Sequence, residues 1–132
     1  MAFDVHVVTP EREVWAGQAD MVVARGTEGE VGILAGHAPM LVRLAIGVLR
    51  IHMQGRAEAA VVDGGFLHVT SGEGGTRVDV LATHAEMAGE IDLRAAQVRV
   101  EELSRRLEEH RDVEAEAELA KALARVHLAG TP

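Results

Sequence analysis

The apolar residues of this chain follow two different periods, one before about residue 86 and one after it. Residues 3–81 alternate between apolar and polar positions, as in "FDVHVV", "GVLRIHM" and "TRVDVL". Successive side chains of a strand point to opposite faces of a sheet, so this alternation predicts half-buried strands. Turn residues interrupt the pattern at short intervals. Many short strands separated by turns indicate a small antiparallel sandwich or barrel.

Two segments of this first part break the alternation. The runs "ADMVVA" at 19–24 and "AAVV" at 59–62 are apolar on both faces of the predicted strand. Either both sheet faces are covered at these positions, or one of them faces a partner.

The second part has the period of an α-helix. Residues 91–109 contain neither glycine nor proline, and apolar residues recur at helical spacing at Ala96, Val100, Leu103 and Leu107. Asp112 is suited to the N-cap of a second helix over roughly residues 113–129, and Gly130 to a left-handed position after it. Two helices joined by a short turn predict an antiparallel hairpin. We therefore divide the chain into a β domain, residues 1–86, and a two-helix domain, residues 87–132.

Alanine supplies many of the apolar residues of the predicted hairpin. A buried methyl group contributes about 0.8 kcal/mol, against roughly 1.5–3 kcal/mol for a side chain the size of leucine. The helices should therefore form readily but dock by only a few kcal/mol after ordering costs. Composition alone leaves two alternatives open, a detachable hairpin and a permanently docked one.

Composition and charge exclude several functional classes. The chain carries 21 acidic and 13 basic residues, a formal charge of −8, which argues against nucleic acid as the main partner. It contains no cysteine, so disulfides and thiolate metal sites are ruled out. No apolar run approaches the ~20 residues of a membrane span. The opening "MAFDVHVV" lacks a basic flank and a long apolar core, so we expect no signal peptide.

The residues that carry catalysis or bind metals are not arranged for either task. The seven histidines do not share the spacing of a metal site. Ser71 and Ser104 do not lie in a nucleophile-elbow pattern, and the single lysine, Lys121, lies on an exposed helix. We expect no catalytic residue and no metal site, and an independent enzyme is the least favoured alternative.

Several motifs resemble one family along essentially the whole chain. The segment "GTEGEVGILAGHAPM" at 26–40 is similar to a signature segment of the epsilon subunit of bacterial-type (F-type) rotary ATP synthases. "GVLRI", "GGFLHV", "VDVLATHAE" and "AELAKALARV" follow in the order expected for that family. The resemblance implies a β sandwich of about ten short antiparallel strands followed by a C-terminal helical hairpin.

The resemblance also implies a function. Such a chain is a non-catalytic central-stalk subunit of a proton-translocating ATP synthase, peripheral at the cytoplasmic face of the plasma membrane. It contacts the membrane only through the complex. Its sandwich couples the gamma subunit to the membrane c-ring, and its movable helices inhibit ATP hydrolysis by the alpha and beta subunits. The tail ends at Pro132, earlier than in some strongly inhibitory relatives, so we expect weak inhibition by the extended form.

The family resemblance assigns roles to individual residues. It places Glu30 and His37 on the side of the c-ring loops. It places Lys121 and Arg125 opposite an acidic segment of a catalytic subunit when the hairpin is extended.

An ATP-sensing module is the alternative function. Some members bind ATP through an "I/L-D-x-x-R-A" motif, and the corresponding text here is "IDLRAA". This makes Asp92 and Arg94 candidate ATP contacts. Arg94 follows Asp92 by two residues instead of three, and one residue turns a helical side chain by ~100°. Regulatory ATP is therefore an option, and no cofactor is required.

Overall fold

Eight strands, one 3₁₀ turn and two helices make up residues 1–130, the part of the chain that the computed structural model describes. The last two residues of the predicted second domain lie outside this range. The elements are β1 (Phe3–Val8), β2 (Glu13–Ala19), β3 (Met21–Gly26), β4 (Gly29–Leu34), β5 (Met40–Met53), β6 (Arg56–Gly72), β7 (Gly75–Ala82), β8 (Ala85–Met87), the 3₁₀ turn (Ala88–Glu90), α1 (Leu93–Glu109) and α2 (Val113–Ala129).

The strands form one hydrogen-bonded path in the order β2-β1-β7-β6-β5-β3-β4, and β8 pairs with β6 beside it. Strand β1 runs parallel to β7, whereas the other pairs are antiparallel. Strands from both ends of this path share one hydrophobic core. Ile33 of β4, Val5 of β1 and Val78 of β7 are all fully buried in it. The sheet therefore folds over itself into the predicted β sandwich.

The long ribbon of β5 and β6 bends where the sandwich changes layer. The pairing register is the same from Met40↔Val69 to Met53↔Arg56, but the residues between Leu44↔Gly65 and Ile46↔Asp63 are not paired. Gly64 and Gly65 lie at this interruption with φ angles of +92° and +123°, a region that side chains disfavour. These glycines let one ribbon contribute to both layers.

The fold class is confirmed, but two details of the expected strands differ. The structure has eight strands in residues 1–130 instead of about ten, because β5 and β6 are 14 and 17 residues long. They run through the bend where the turn signals predicted separate short strands. The parallel β1–β7 pair was not expected, since alternation identifies the buried face of a strand but not the direction of its neighbour.

The run "AAVV" is apolar on both faces because both faces are covered. Val61 and Val62 are adjacent in β6, point to opposite faces, and are 0 % and 3 % exposed. Val62 packs in the sandwich core, and α2 contacts β5 and β6. Helix α2 of the hairpin therefore covers the outer face of this ribbon.

The hairpin has a small core of its own. Leu103 is fully buried against Ala115 and Ala122, with three half-buried neighbours, Val100, Leu107 and Leu119. The start of α2 is capped as predicted: the Asp112 carboxylate accepts the Glu114 and Ala115 backbone N–H groups at 3.0 and 3.3 Å. Few large side chains hold the two helices together, in keeping with the alanine-rich sequence.

The prediction of a left-handed Gly130 is wrong. Its φ is −82°, in the right-handed region, and its N–H donates to the Val126 carbonyl at 2.9 Å. The helix simply continues its hydrogen bonding by one residue. A Cβ at this position would approach that carbonyl oxygen to 2.8 Å, which explains why glycine fits here.

Replacing Gly65 by alanine should destabilise the sandwich more than replacing Gly64. Both positions carry positive φ strain of roughly 1–3 kcal/mol for a side chain. A Cβ on Gly65 would also overlap the carbonyl oxygen of Leu81, whereas the nearest atom to a Cβ on Gly64 lies at 3.8 Å. Chemical denaturation of both variants measures the difference, with Gly72→Ala as a control because its Cβ would meet nothing within 4 Å. Equal losses at positions 64 and 65 would contradict this account of the bend.

Candidate functional site

A cavity of about 500 Å³ lies where the hairpin meets the sandwich. We call it the docking cavity. Both domains and the segment between them line it, so a group bound there would contact all three. Its walls are formed by Asp63, His84, Glu86, Ile91, Asp92, Ala95, Ala96, Arg99, Glu118, Lys121, Ala122 and Arg125.

Arg125 of α2 joins the two sides of this cavity. Its guanidinium donates to both carboxylate oxygens of Asp63, at 3.0 and 2.8 Å, and to Glu86 at 2.5 Å. The arginine side chain is 13 % exposed and that of Asp63 only 5 %. A forked, two-oxygen contact of this kind is the strongest arginine–carboxylate geometry.

The backbone holds Asp63 in place for this contact. Its N–H donates to the carbonyl of His84 at 2.9 Å, and its own carbonyl accepts the Thr83 hydroxyl at 2.6 Å. Asp63 also immediately precedes Gly64, the first glycine of the ribbon bend. The acceptor of the arginine is therefore built into the rigid part of the sandwich.

The contact keeps Arg125 charged although it is largely buried. Burial acts to lower the pKa of Arg125, but the hydrogen bonds and charges of Asp63 and Glu86 outweigh it, so this pKa is raised. A buried ion pair contributes little net stability compared with apolar packing. Removing one partner is costly, by about 3–5 kcal/mol in fully buried cases. Arg125 therefore strongly favours the docked hairpin over a state in which Arg125 or Asp63 stays buried without its partner.

The two candidate ATP contacts do not converge. Asp92 lines the docking cavity, but its carboxylate caps α1 by accepting the Ala95 N–H at 3.0 Å. Arg94 is exposed and does not line the cavity. Four carboxylates and three cations do line it, namely Asp63, Glu86, Asp92 and Glu118 against Arg99, Lys121 and Arg125, a formal sum of −1.

Lys121 lies one turn before Arg125 on α2 but is engaged differently. Its ammonium group contacts Glu118 of the same helix at 3.2 Å and is 31 % exposed. The two predicted catalytic-subunit contacts therefore share a helix face and differ in accessibility. Arg125 is occupied by the sandwich, whereas Lys121 is partly open to solvent.

Glu30 lies on β4, exposed, opposite Arg25 of β3. It lines a second, open cavity of about 540 Å³ that also reaches Leu123 and His127 of α2. The side chain of Glu30 is thus near the docked hairpin as well as near the β3–β4 turn.

His37 lies in the loop between β4 and β5. Its ring Nδ1 is 2.8 Å from the Ala38 carbonyl oxygen, and its own carbonyl accepts the Ser71 hydroxyl at 2.6 Å. Gly36, with φ +85°, donates its N–H to the Thr76 hydroxyl at 2.7 Å. These bonds hold the loop against the β6–β7 turn and give it a defined shape.

An apolar patch on the outer face of the sandwich is exposed to solvent. Leu41, Phe66 and Leu81 of β5, β6 and β7 are 65 %, 41 % and 51 % exposed. Phe66 pairs with Leu81 across the strands, and the Arg43 guanidinium lies 5.9 Å from the Phe66 ring centroid. Exposed apolar groups next to one another favour contact with another protein.

Among the described residues, no three acidic or histidine side chains come together as metal ligands would. None of the helices in residues 1–130 is long and apolar enough to cross a membrane.

Sequence reasoning missed Asp63 and Glu86, the two residues that bind Arg125. The available signal for Asp63 is an acid that ends the apolar run "AAVV". A charge at that point of an otherwise buried strand needs a partner. Glu86 follows the last alternating strand and carries no comparable signal.

Comparisons with known proteins agree across both parts of the chain. Residues 2–88 match the family "ATP synthase, Delta/Epsilon chain, beta-sandwich domain". The ATP synthase epsilon chain of Thermobifida fusca is 44 % identical over 129 residues, which cover 95 % of this chain and 90 % of that protein. The epsilon chain of Microcystis aeruginosa is 36 % identical over 137 residues, covering 98 % and 96 %.

A solved structure has the same fold. A chain in the cryo-EM structure of the Euglena gracilis mitochondrial ATP synthase, comprising OSCP, F1 and the c-ring, superposes with a TM-score of 0.79. The two chains are 23 % identical, and the match covers 96 % of this chain and 80 % of that one.

Glu90, at the end of the 3₁₀ turn before the hairpin, should make stability depend on pH. Its carboxylate accepts hydrogen bonds from Arg12 and from the Met87 backbone N–H, each at 3.0 Å, and these lower the pKa of Glu90 below the ordinary 4.5. A lowered folded-state pKa stabilises the protein above the unfolded pKa, and the effect is lost as pH falls through the folded value. Glu90→Gln should therefore lower the melting temperature at pH 7, and the difference from wild type should shrink as pH falls through the folded-state pKa of Glu90. Glu73→Gln, at an exposed turn, is the control. A difference that persists unchanged at acid pH would contradict the assignment.

Proposed function

This chain belongs to the epsilon subunits of the F-type ATP synthase, and we propose that it is a non-catalytic subunit of the central stalk. In this role the sandwich couples the gamma subunit to the c-ring, and the hairpin regulates ATP hydrolysis. The subunit is then peripheral, reaching the cytoplasmic face of the membrane only through the complex.

One observation carries the proposal, namely that the match to epsilon chains spans the sandwich and the hairpin together. The relative from Thermobifida fusca aligns over 95 % of this chain. A match limited to the sandwich would support coupling alone. The similar length and order of both parts support the two functions in one chain.

The surface of the sandwich supports the coupling function. The patch of Leu41, Phe66 and Leu81 offers apolar contact area for a neighbouring subunit. Glu30 is exposed and bears a charge that polar c-ring loops can bind. The His37 loop has a fixed shape, which suits a contact surface better than a mobile loop would. We assign Glu30 and His37 to the c-ring side on this basis.

The hairpin supports the regulatory function because its own core is small. Only a few large residues hold α1 and α2 together, and they form a cluster separate from the sandwich core. The hairpin can therefore leave while the sandwich stays folded. In the extended state Lys121 and Arg125 would face an acidic segment of a catalytic subunit, where opposite charges attract. Lys121→Glu should then weaken inhibition in a hydrolysis assay of the whole complex, and unchanged inhibition would remove that contact.

Deletion of residues 88–132 should separate the two functions. The remaining chain keeps β8, which completes the sandwich by pairing with β6. It should still assemble with gamma and the c-ring, while ATP hydrolysis by the complex rises because the inhibitory helices are gone. Pull-down with gamma and hydrolysis assays of the purified complex measure these effects.

A Glu30→Lys variant of the full chain is the counterpart of the deletion. It reverses one exposed charge on the sandwich and should weaken proton pumping driven by ATP, leaving gamma binding intact. Failure of the deleted chain to bind gamma would overturn the division of labour. Normal pumping by Glu30→Lys would remove Glu30 from the c-ring contact.

ATP sensing by the docking cavity is the second candidate function. In its favour, the cavity lies between the hairpin and the sandwich, and Asp92 lines it. A ligand there would hold both domains and so bias the hairpin toward docking. Against it stand the exposed Arg94 and the formal charge of −1 of the cavity, since triphosphate binding favours a basic site.

Isothermal titration of the isolated chain with ATP tests this candidate. We expect no heat of binding and no rise in melting temperature at about 1 mM ATP. A ligand raises the melting temperature only when its concentration approaches Kd, so this result would place the Kd for ATP above that concentration. A Kd below that concentration, lost in Asp92→Ala but kept in Asp112→Ala, would instead establish nucleotide sensing. Asp112 is the matched control because it caps α2 as Asp92 caps α1.

A further inference from the structure

We propose that Arg125, Asp63 and Glu86 form a latch that holds the hairpin on the sandwich without a nucleotide. This inference deepens the proposed regulatory function and rests on it for its biological meaning. The latch itself is a property of the isolated chain, so it can be tested apart from the complex.

The contacts of Arg125 cross the boundary between hairpin and sandwich. Arg125 makes three hydrogen bonds to carboxylates across the domain boundary, two of them to Asp63, which lies 62 residues earlier in the sequence. Two other ion pairs of α2 are local: Lys121 pairs with Glu118, and Arg111 before the helix pairs with Glu116. Thus the charged contact of Arg125 bridges hairpin and sandwich, whereas those pairs stabilise the helix alone.

The docking cavity already supplies the negative charge that Arg125 binds. An arginine that awaited an anionic ligand would be left without an acidic partner when no ligand is bound. Here two carboxylates already neutralise Arg125, and Asp63 is 5 % exposed. An entering triphosphate would have to displace both of them and face their charges. The sandwich therefore supplies internally the negative charge that docks the helix.

The sandwich and an acidic surface of another subunit would compete for Arg125. Arg125 is 13 % exposed and already binds Asp63 and Glu86, so it can reach an acidic surface of another subunit only after it leaves the sandwich. Any acidic partner must first break the latch. The strength of the Asp63 contact therefore sets how readily the hairpin leaves the sandwich, and the same arginine takes part in both states.

Spin-label distance measurements on the full-length isolated chain test the latch. Because the chain contains no cysteine, labels can be attached at introduced cysteines replacing the exposed residues Thr70 of β6 and Glu114 of α2. The labelled chain should give one narrow distance distribution without nucleotide. In Arg125→Gln, the broad, undocked population should rise at least tenfold.

Three further variants distinguish the latch from general loss of charge. The double variant Asp63→Asn with Glu86→Gln should open the hairpin as Arg125→Gln does. Arg125→Lys should give an intermediate population, because lysine keeps the charge but loses the two-oxygen fork. Lys121→Gln, one turn away and paired only within α2, is the matched control and should stay docked.

The fluorescence of Trp15, the single tryptophan, verifies that the sandwich stays folded in each variant. Trp15 lies on β2 and packs against the sandwich core. Docked hairpins in both Arg125→Gln and the double acid variant would overturn the latch. So would a wild-type chain that docks only after ATP is added. If one of these variants unfolds, the undocked population of the folded Arg125→Lys chain tests the latch. An undocked population no larger than that of wild type would then overturn it.

The outcomes also separate the latch from the proposed function. Opening by Arg125→Gln together with normal regulation in the complex would keep the latch and reject its regulatory role. A docked Arg125→Gln hairpin together with the expected effect of the 88–132 deletion would reject the latch and keep the function.

Discussion

The bend of the β5–β6 ribbon is the constraint on which the rest of the structure depends. Gly64 and Gly65 adopt backbone angles that other residues avoid, and their conformation lets one ribbon serve both layers of the sandwich. The residue just before the bend is Asp63, fixed by backbone bonds to the segment at 83–84. The same local geometry thus shapes the core and positions the carboxylate that receives Arg125.

The two domains are stabilised in different ways, and this difference suits the separate roles proposed for them. The sandwich buries β-branched and leucine side chains in one continuous, close-packed core. The hairpin has few large core residues and depends for its position on the arginine contact with Asp63 and Glu86. A close-packed sandwich and a hairpin with an adjustable position can therefore coexist in a chain of 132 residues.

The sequence predicted the architecture because periodicity is a local signal. Alternation at Val5, Val7 and Val78 identified buried faces, and all three are fully buried. Local patterns do not encode strand direction or continuity, so the parallel β1–β7 pair and the long β5 and β6 were missed. Asp63 and Arg125 are 62 residues apart, and no spacing rule joins them. Family resemblance singled out Arg125, but for a contact in another state of the hairpin.

Native-state hydrogen exchange of the isolated chain tests the central claim that the hairpin opens as a unit while the sandwich stays folded. We predict that amides of α2, such as those of Ala122 and Arg125, share one opening free energy. That value should lie at least about 2 kcal/mol below the value for amides of Leu49 and Leu67 in the sandwich core. Equal opening free energies for α2 and the core strands would mean that hairpin and sandwich unfold together, which would contradict the account.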